Sequence, residues 1–151
     1  MPRRDASSVR FRRIPASVRR TPIERFARTL QKETTKGRPF DVLITGDAEL
    51  RQLNRDFRGQ DYATDVLSFP AADGAGDAHL GDIAISLGRA RAQARQFRHA
   101  IEDEVRILML HGVLHLVGYD HEADSGTMAR VEKRWRRKLG LPAGLIERVR
   151  A

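Results

Sequence analysis

Three of the five histidines in this 151-residue chain fall within one eleven-residue stretch, HGVLHLVGYDH, which runs from His111 to His121. His111 and His115 are four residues apart, so in a helix their side chains lie about 40° apart on one face and can share a ligand. Gly118 is placed to end that helix, because glycine readily adopts the left-handed conformation that reverses the chain. His121 can then approach the same point from the far side. Three imidazoles with an open fourth position are typical of a catalytic zinc site.

The alternative is that these are ordinary core histidines whose rings bond to backbone carbonyls, an interpretation that we would favour for a single histidine. Buried rings on an apolar helix lose water, and each unsatisfied polar group costs about 1 to 3 kcal/mol. A bound metal removes that cost and selects the neutral imidazole that burial also favours. For three histidines at this spacing we favour the metal. The chain has no cysteine, so the ligands must be nitrogen or oxygen atoms.

The spacing His-x-x-x-His-x-x-Gly-x-x-His is also the ligand pattern of the metzincin peptidases. Those enzymes require a glutamate general base directly after the first histidine, where this chain has Gly112. We therefore do not expect peptide hydrolysis. As a hypothesis, the missing side chain at Gly112 opens space beside the metal for a bulky substrate.

The elements that position the histidines can be predicted from hydrophobic spacing. The histidine helix begins near Ala100, carries acids in its first turn and is apolar on nearly every side from Val105 to Val117, which places it at the centre of the domain. The predicted strands cover residues 9–14, 40–45, 64–69 and 80–85. With about five helices, these strands indicate a single α+β domain in which a small mixed sheet of about four strands packs against the histidine helix.

Capping residues set the predicted starts of the other helices. Thr21 is the expected N-cap of the first helix, with Pro22 at the first helical position and Glu24 closing a capping box, and Asp47 and Ser86 are expected to cap the second and third. The first helix is expected to end near residue 34. The residues expected to face inward are Leu50, Leu53 and Phe57 on the second helix, Leu87, Ala90, Ala94 and Phe97 on the third, and Met128, Val131, Trp135 and Leu139 on the last. The outward stripe of the third helix is basic and more typical of a solvated face than of a binding surface; it consists of Arg89, Arg91, Arg95 and Arg98.

The net charge of +8 is distributed unevenly. Residues 1–40 carry twelve Lys and Arg against three acids, a net of +9, so the remainder of the chain is close to neutral. A basic segment of this kind suits a polyanion, nucleic acid first, although a solvated basic arm over residues 1–8 or a transit peptide would have a similar composition. No apolar run approaches the roughly 20 residues that span a bilayer, so a membrane role has no support.

Four ordered motifs carry a resemblance to a known family. HGVLHLVGYDH, together with LNRDFR at 53–58, TDVLSFP at 64–70 and LGDI at 80–83, resembles the YbeY endoribonucleases, a family of bacterial rRNA maturation factors. The resemblance extends from about Val9 to Gly140 and includes Met128 and Glu132. This chain departs from the family pattern in having Ala63 where proline is frequent, and the very basic N-terminal arm is not part of the pattern.

The resemblance implies a metal-dependent, single-strand-specific endoribonuclease that acts in the cytoplasm, in maturation of the small-subunit rRNA 3′ end and in ribosome quality control. It implies one zinc ion held by His111, His115 and His121, and it implies single-stranded RNA and the small ribosomal subunit with its proteins as partners. The family's functional arginine falls on Arg58, which we expect in the loop after the second helix. A planar guanidinium can bind two phosphate oxygens, so this assignment is physically sensible.

The mechanism that follows as a hypothesis has the zinc, held in part by His111, polarising a phosphate oxygen or supplying hydroxide while Arg58 stabilises the developing charge. Asp65 and Asp120 are candidates for orienting a ligand or water. No general base is evident, and the 2′-hydroxyl of RNA is an alternative nucleophile. Two other functions stay open: a non-catalytic assembly factor that binds rRNA or a ribosomal protein around a structural zinc, and a metal hydrolase acting on another phosphoester or amide.

Overall fold

The computed structural model describes residues 6–61, 64–72, 79–120 and 125–142, and within these ranges the chain forms four strands and five helices. The strands are β1 (Ser8–Phe11), β2 (Asp41–Thr45), β3 (Val66–Pro70) and β4 (Gly81–Ser86). The helices are α1 (Arg20–Glu33), α2 (Asp47–Arg58), α3 (Leu87–Phe97), α4 (Ile101–Leu116) and α5 (Thr127–Leu139). The predicted α+β class, with a four-stranded sheet and five helices, is confirmed.

The four strands form one mixed sheet in the order β1-β2-β4-β3. β1 pairs with β2 and β2 with β4 in parallel, whereas β3 runs antiparallel to β4 at the edge. Parallel neighbours require crossover connections, and α1 supplies the connection between β1 and β2. Strands covered on both faces are apolar along most of their length, and the central strands β2 and β4 show this pattern.

The two faces of the sheet are covered unequally. Val42 and Ile44 lie beside Ile83 and Ile85 in register and belong to the main core, which α1 and α4 help to form. Successive strand residues point to opposite faces, so Ala84 lies on the other face, in a smaller apolar cluster with Leu50 of α2 and Leu67 of β3. The histidine helix therefore packs on the more extensively covered face.

α4 is the central helix, as predicted. Twelve of its sixteen residues are buried, so nearly all of its circumference contacts protein. Its middle approaches the sheet closely, and the Ser68 hydroxyl donates a hydrogen bond to the Gly112 carbonyl at 3.1 Å. The helix ends at Leu116, and Gly118 has a φ of +110°, which confirms the predicted reversal of the chain at this glycine.

Two of the predicted helix caps are wrong and one is confirmed. α1 has Arg19 rather than Thr21 as its N-cap, and the Arg19 N–H bonds to the Glu102 carboxylate of α4 at 3.0 Å, so a tertiary contact holds the start of the helix two residues before Thr21. Gly46 rather than Asp47 is the N-cap of α2, and the Asp47 carboxylate accepts a hydrogen bond from Ser86 Oγ instead. Ser86 does cap α3, since its Oγ accepts from the Arg89 N–H at 3.1 Å. Tertiary contacts therefore override local capping signals at two of these three starts.

Two aromatic residues that we expected to face inward are exposed. Phe57, in the last turn of α2, is 69% exposed and makes an edge contact with the Phe69 ring, because α2 covers only the small cluster of the second sheet face. Phe97, at the end of α3, is 41% exposed and stacks on the His99 ring at 6.5 Å.

The N-terminal segment is described from residue 6 onward. There the Ser7 N–H bonds to the Gln31 side chain and the Ser7 hydroxyl accepts from the Phe40 N–H, so this part of the expected arm is attached to the domain. Among the described helices, none has the length and apolar character needed to cross a membrane.

Candidate metal centre

His111 and His115 meet at the C-terminal half of α4. Their Nε2 atoms lie 3.1 Å apart, and their ring centroids are 4.7 Å apart with the planes nearly perpendicular. The i, i+4 spacing on one helical face produces this approach, as predicted. His111 is only 5% exposed and His115 is half-buried, so the pair opens toward solvent on the His115 side.

The outer nitrogen of each ring is held by an oxygen acceptor. His111 Nδ1 lies 2.8 Å from the Glu132 carboxylate on α5, and His115 Nδ1 lies 2.9 Å from the Tyr119 carbonyl in the turn after α4. A carbonyl or an ionised carboxylate cannot donate a proton, so each Nδ1 carries the hydrogen in these contacts. Neutral rings in this tautomer each carry an unprotonated Nε2, and these are the two atoms that lie 3.1 Å apart.

This arrangement fits a metal ion. Two unprotonated imidazole nitrogens 3.1 Å apart repel each other unless a cation lies against both or one of them carries a proton. Imidazole nitrogens fixed through Nδ1 by a carboxylate or backbone carbonyl are the arrangement found around zinc. The two histidines therefore fit a metal ion chemically, and their role as its ligands stays a prediction. The third predicted ligand, His121, lies outside the described residues.

Glu132 and the Tyr119 carbonyl were not predicted as parts of this site. Glu132 is 1% exposed on α5, where Met128 and Val131 form the buried stripe that faces α4. A glutamate on an apolar stripe was the available signal, because a buried carboxylate requires a partner. Its partner is 21 residues away in sequence, so only the packing of α5 on α4 identifies it.

The other predicted site residues lie at different places in the fold. Arg58 is the last residue of α2 and exposed, rather than part of the loop that we predicted, because the left-handed Gly59 ends the helix one residue later. The Asp65 carboxylate accepts a hydrogen bond from Gln93 of α3 at 3.1 Å. Asp120 is exposed directly after Tyr119. The roles assigned to Arg58, Asp65 and Asp120 stay predictions.

Gly112 faces the sheet and does not open space beside the histidine pair. A Cβ atom added there would lie 3.0 Å from Ile83 Cγ2 and 3.2 Å from Ile83 Cδ1. Gly112 is buried on α4, and Ile83 belongs to the main core. The absence of a side chain at Gly112 therefore allows α4 to approach β4, and our hypothesis of a substrate pocket at this position is wrong.

A second cluster of side chains of the kinds that bind metals lies apart from the histidine pair. One ligand atom from each of Asp41, His79 and Asp82 falls within 4.8 Å of the others. Burial raises the pKa of Asp82, and the Asp41 carboxylate raises it further, while His79 acts in the opposite direction. Asp82 adjoins Ile83, which faces α4, so its side chain points to the other face of the sheet. Exposed acidic groups often meet in this way without an ion, and we assign none to this group.

Together, the mixed sheet, the central helix and its converging imidazoles define a small α+β protein with a candidate histidine-based metal centre. The family model described as Endoribonuclease YbeY matches residues 10–140 of the chain. The protein therefore belongs to the YbeY endoribonuclease family, which confirms the resemblance found in the sequence.

Individual relatives agree with this assignment. An Endoribonuclease YbeY from Solibacter usitatus is 71% identical over 147 residues, which are 97% of each chain. Another, from Koribacter versatilis, is 55% identical over 107 residues, covering 71% of this chain and 68% of its own. Among solved structures, the solution structure of the Thermotoga maritima protein TM1509 superimposes with a TM-score of 0.58 at 29% identity, covering 84% of this chain and 85% of that one.

Proposed function

We propose that this protein is a zinc-dependent endoribonuclease that cleaves single-stranded RNA, matures the 3′ end of small-subunit rRNA and takes part in ribosome quality control. The family and the names of the relatives support the endoribonuclease activity. The observation that carries the metal dependence is the 3.1 Å approach of the His111 and His115 Nε2 atoms. The rRNA substrate, the small subunit as a partner and the cytoplasmic location extend the family resemblance to this chain.

The residues proposed to hold the zinc are His111 and His115 through Nε2, with His121 as the third ligand. When bound there, the ion would act as a Lewis acid for charge that develops on a phosphate. Glu132 and the Tyr119 carbonyl contribute by holding the protons on Nδ1, so that each Nε2 stays unprotonated and the rings keep their orientation.

Arg58 is the residue proposed to bind the scissile phosphate. It ends α2 with an exposed side chain, and in the described ranges its guanidinium forms no ion pair. A guanidinium without a carboxylate partner can bind two phosphate oxygens, and it needs no proton transfer to stabilise their charge.

The nucleophile is the part of the mechanism on which two routes differ. If the RNA 2′-hydroxyl attacks, the products carry a 2′,3′-cyclic phosphate, whereas attack by water leaves a linear phosphate. Asp65 is already bonded to Gln93, which makes it a poor candidate for a general base. Analysis of the product ends distinguishes the two routes without any assumption about the base.

The test compares metal content and RNA cleavage in wild type, His115→Ala and Arg58→Ala. We expect His115→Ala to lose both, and Arg58→Ala to keep the metal while cleavage falls about 100- to 1000-fold, the usual cost of losing one charge-stabilising group. Arg55→Ala is the matched control, because Arg55 lies on the same helix and is also exposed, but pairs with Asp56.

Two results would contradict the proposal. Cleavage retained by a metal-free His115→Ala protein would overturn the metal dependence. A zinc-loaded wild type that binds small subunits without cutting RNA would instead favour the non-catalytic assembly factor.

A further inference from the structure

Three arginines of the α3 stripe line one cavity at the end of that helix. Arg91, Arg95 and Arg98 face a space of about 570 Å³ whose other walls are the start of α4 and the segment before α1. All three side chains are exposed, and among the described residues none of their guanidiniums forms an ion pair. Arg89 differs from them, because it lies 3.6 Å from the Asp47 carboxylate.

A second cavity of about 570 Å³ adjoins the first, and Val18 lines both. Arg19 and Arg20 line the second cavity. We call the two cavities together the basic groove, defined by its five arginines, which are Arg19, Arg20, Arg91, Arg95 and Arg98. None of the residues lining either cavity is acidic. The groove thus joins the basic N-terminal segment to the α3 stripe.

Three acids in the first turn of α4 hold the walls of the groove in place and do not line it. Glu102 is buried and accepts from the Arg19 N–H at 3.0 Å, which attaches the segment before α1 to α4. Glu104 has no exposed surface and lies 2.6 Å from His99 Nε2, which attaches the turn after α3. Asp103, the third acid in this turn of α4, pairs with Arg106. These contacts therefore fix the backbone segments from which the arginine side chains project.

Placing these arginines close together destabilises the folded protein, and no packing interaction offsets this loss of stability. Arg91 and Arg95 are four residues apart on one helix, and like charges at that spacing destabilise a helix by a few tenths of a kcal/mol. Arg98 adopts a left-handed conformation, φ 58° and ψ 49°, which glycine would adopt with less strain. Their side chains are exposed, so burial of apolar surface does not offset these costs.

We infer that the basic groove binds phosphates of single-stranded RNA at a distance from the histidine pair, as a second contact for the substrate strand. Several unpaired guanidiniums in one concave surface suit successive backbone phosphates, and each neutralised phosphate releases counterions. This inference rests on the proposed endoribonuclease function. Ile101 of the groove and His111 are ten residues apart on α4, about 15 Å along its axis. Only an RNA long enough to cover that distance can contact both sites.

The test measures the affinity of the full-length, metal-loaded protein for labelled single-stranded RNA by rapid fluorescence anisotropy, before cleavage proceeds. RNA lengths of about 16 and about 4 nucleotides bracket the range that single-strand-binding domains cover. For the double variant Arg91→Gln with Arg95→Gln we expect the Kd for the longer RNA to rise on the order of tenfold. The slope of log K against log salt should become shallower by about 1.4, because two phosphate contacts are lost. The effect should shrink for the short RNA.

The matched control is Arg25→Gln with Arg28→Gln, which removes the same charge from exposed positions on α1 outside both cavities. This control should bind RNA nearly as wild type does. Arg98→Gly provides a test without misfolding, because glycine suits the left-handed backbone at this position. We expect Arg98→Gly to weaken RNA binding without lowering the free energy of unfolding.

Equal losses of affinity in the two double variants would overturn the groove, since net charge alone would then explain them. Unchanged affinity in both would also overturn it. Displacement of the RNA by polyglutamate as readily as by unlabelled RNA would show a general polyanion surface and overturn the assignment to RNA. Cleavage is followed in parallel, so that an absence of cleavage together with groove-dependent binding would refute the proposed activity while supporting the groove.

Discussion

The two imidazoles at the candidate metal centre are held by acceptors of different charge. His111 bonds to the buried Glu132 carboxylate, whereas His115 bonds to the neutral Tyr119 carbonyl. A carboxylate partner makes the imidazole a stronger ligand, because it stabilises the positive charge that the ring acquires on binding a cation. Glu132 would therefore raise the affinity of the proposed site for a metal ion without being a ligand itself.

Replacing Glu132 by glutamine tests this role. The glutamine oxygen can still accept from His111 Nδ1, so the geometry is retained while the charge is lost. We expect metal affinity in Glu132→Gln to fall about 10- to 100-fold, the usual effect of removing such a partner. Competition against a chromophoric chelator measures the affinity independently of catalysis.

Glu102→Gln is the matched control, since Glu102 is also a buried glutamate but bonds to the Arg19 N–H rather than to a proposed metal ligand. Its metal affinity should equal that of wild type. Wild-type affinity in Glu132→Gln as well would mean that the carboxylate serves only packing.

At the scale of single residues, prediction from the sequence succeeded where the determining contact is local. The i, i+4 spacing of His111 and His115 was sufficient to bring the rings together. The contact between His111 and Glu132 was not predicted, because it depends on how α5 packs against α4. The same limit applies to helix starts: Ser86 caps α3 through the N–H of a residue three positions away, whereas α1 starts at Arg19, whose N–H is held by Glu102 of α4.

At the scale of elements, the close approach of α4 to β4 sets the position of the histidines relative to the sheet. Gly112 directly follows His111, and its backbone lies against Ile83 in the middle of the sheet. Comparison with the peptidase pattern showed only that Gly112 stands where those enzymes have a glutamate. In this fold, Gly112 is required for packing because a larger residue would clash with Ile83. The spacing of the polar residues in the sequence could not reveal this requirement.

Gly112→Ala is expected to lower stability despite the better helix propensity of alanine. The propensity gain of about 1 kcal/mol is opposed by overpacking of about 1 to 3 kcal/mol against Ile83, which is buried on a central strand and has little room to move. A net loss of up to about 2 kcal/mol in the free energy of unfolding, measured by urea denaturation, should follow.

A double-mutant cycle separates the clash from other effects. Ile83→Ala alone should cost about 2 to 5 kcal/mol through its cavity. In that background the added methyl group has space, so Gly112→Ala should become stabilising by about 1 kcal/mol. The same cost for Gly112→Ala in both backgrounds would show that Ile83 is not the residue that requires glycine.

For the whole molecule, the fold class could be predicted from the sequence. Strand-like and helix-like hydrophobic patterns alternate along the chain, and few folds bury the apolar faces of both kinds of element. The uneven distribution of charge could also be seen in the sequence, but the sequence did not show where in the fold the basic residues lie. The α3 stripe, read as a solvated face, lines the basic groove only because the segment before α1 and the start of α4 close around it. Surfaces assembled from three separate parts of the chain require the tertiary structure.

The main core and the candidate metal centre differ in how far they depend on the ion, and metal removal should show this. The core packs α1 and α4 on the sheet through apolar contacts that need no metal, whereas the histidine pair lies where α4, α5 and the following turn meet. Chelation should therefore leave the protein folded at 25 °C but lower its Tm by about 5 to 10 °C, relative to protein with free zinc at about a hundredfold excess over Kd.

His115→Ala, which has lost a proposed ligand, should show the same Tm with and without chelator. Complete unfolding of wild type on chelation, followed by circular dichroism, would make the metal a structural requirement of the fold, and an unchanged Tm would contradict metal binding at this pair.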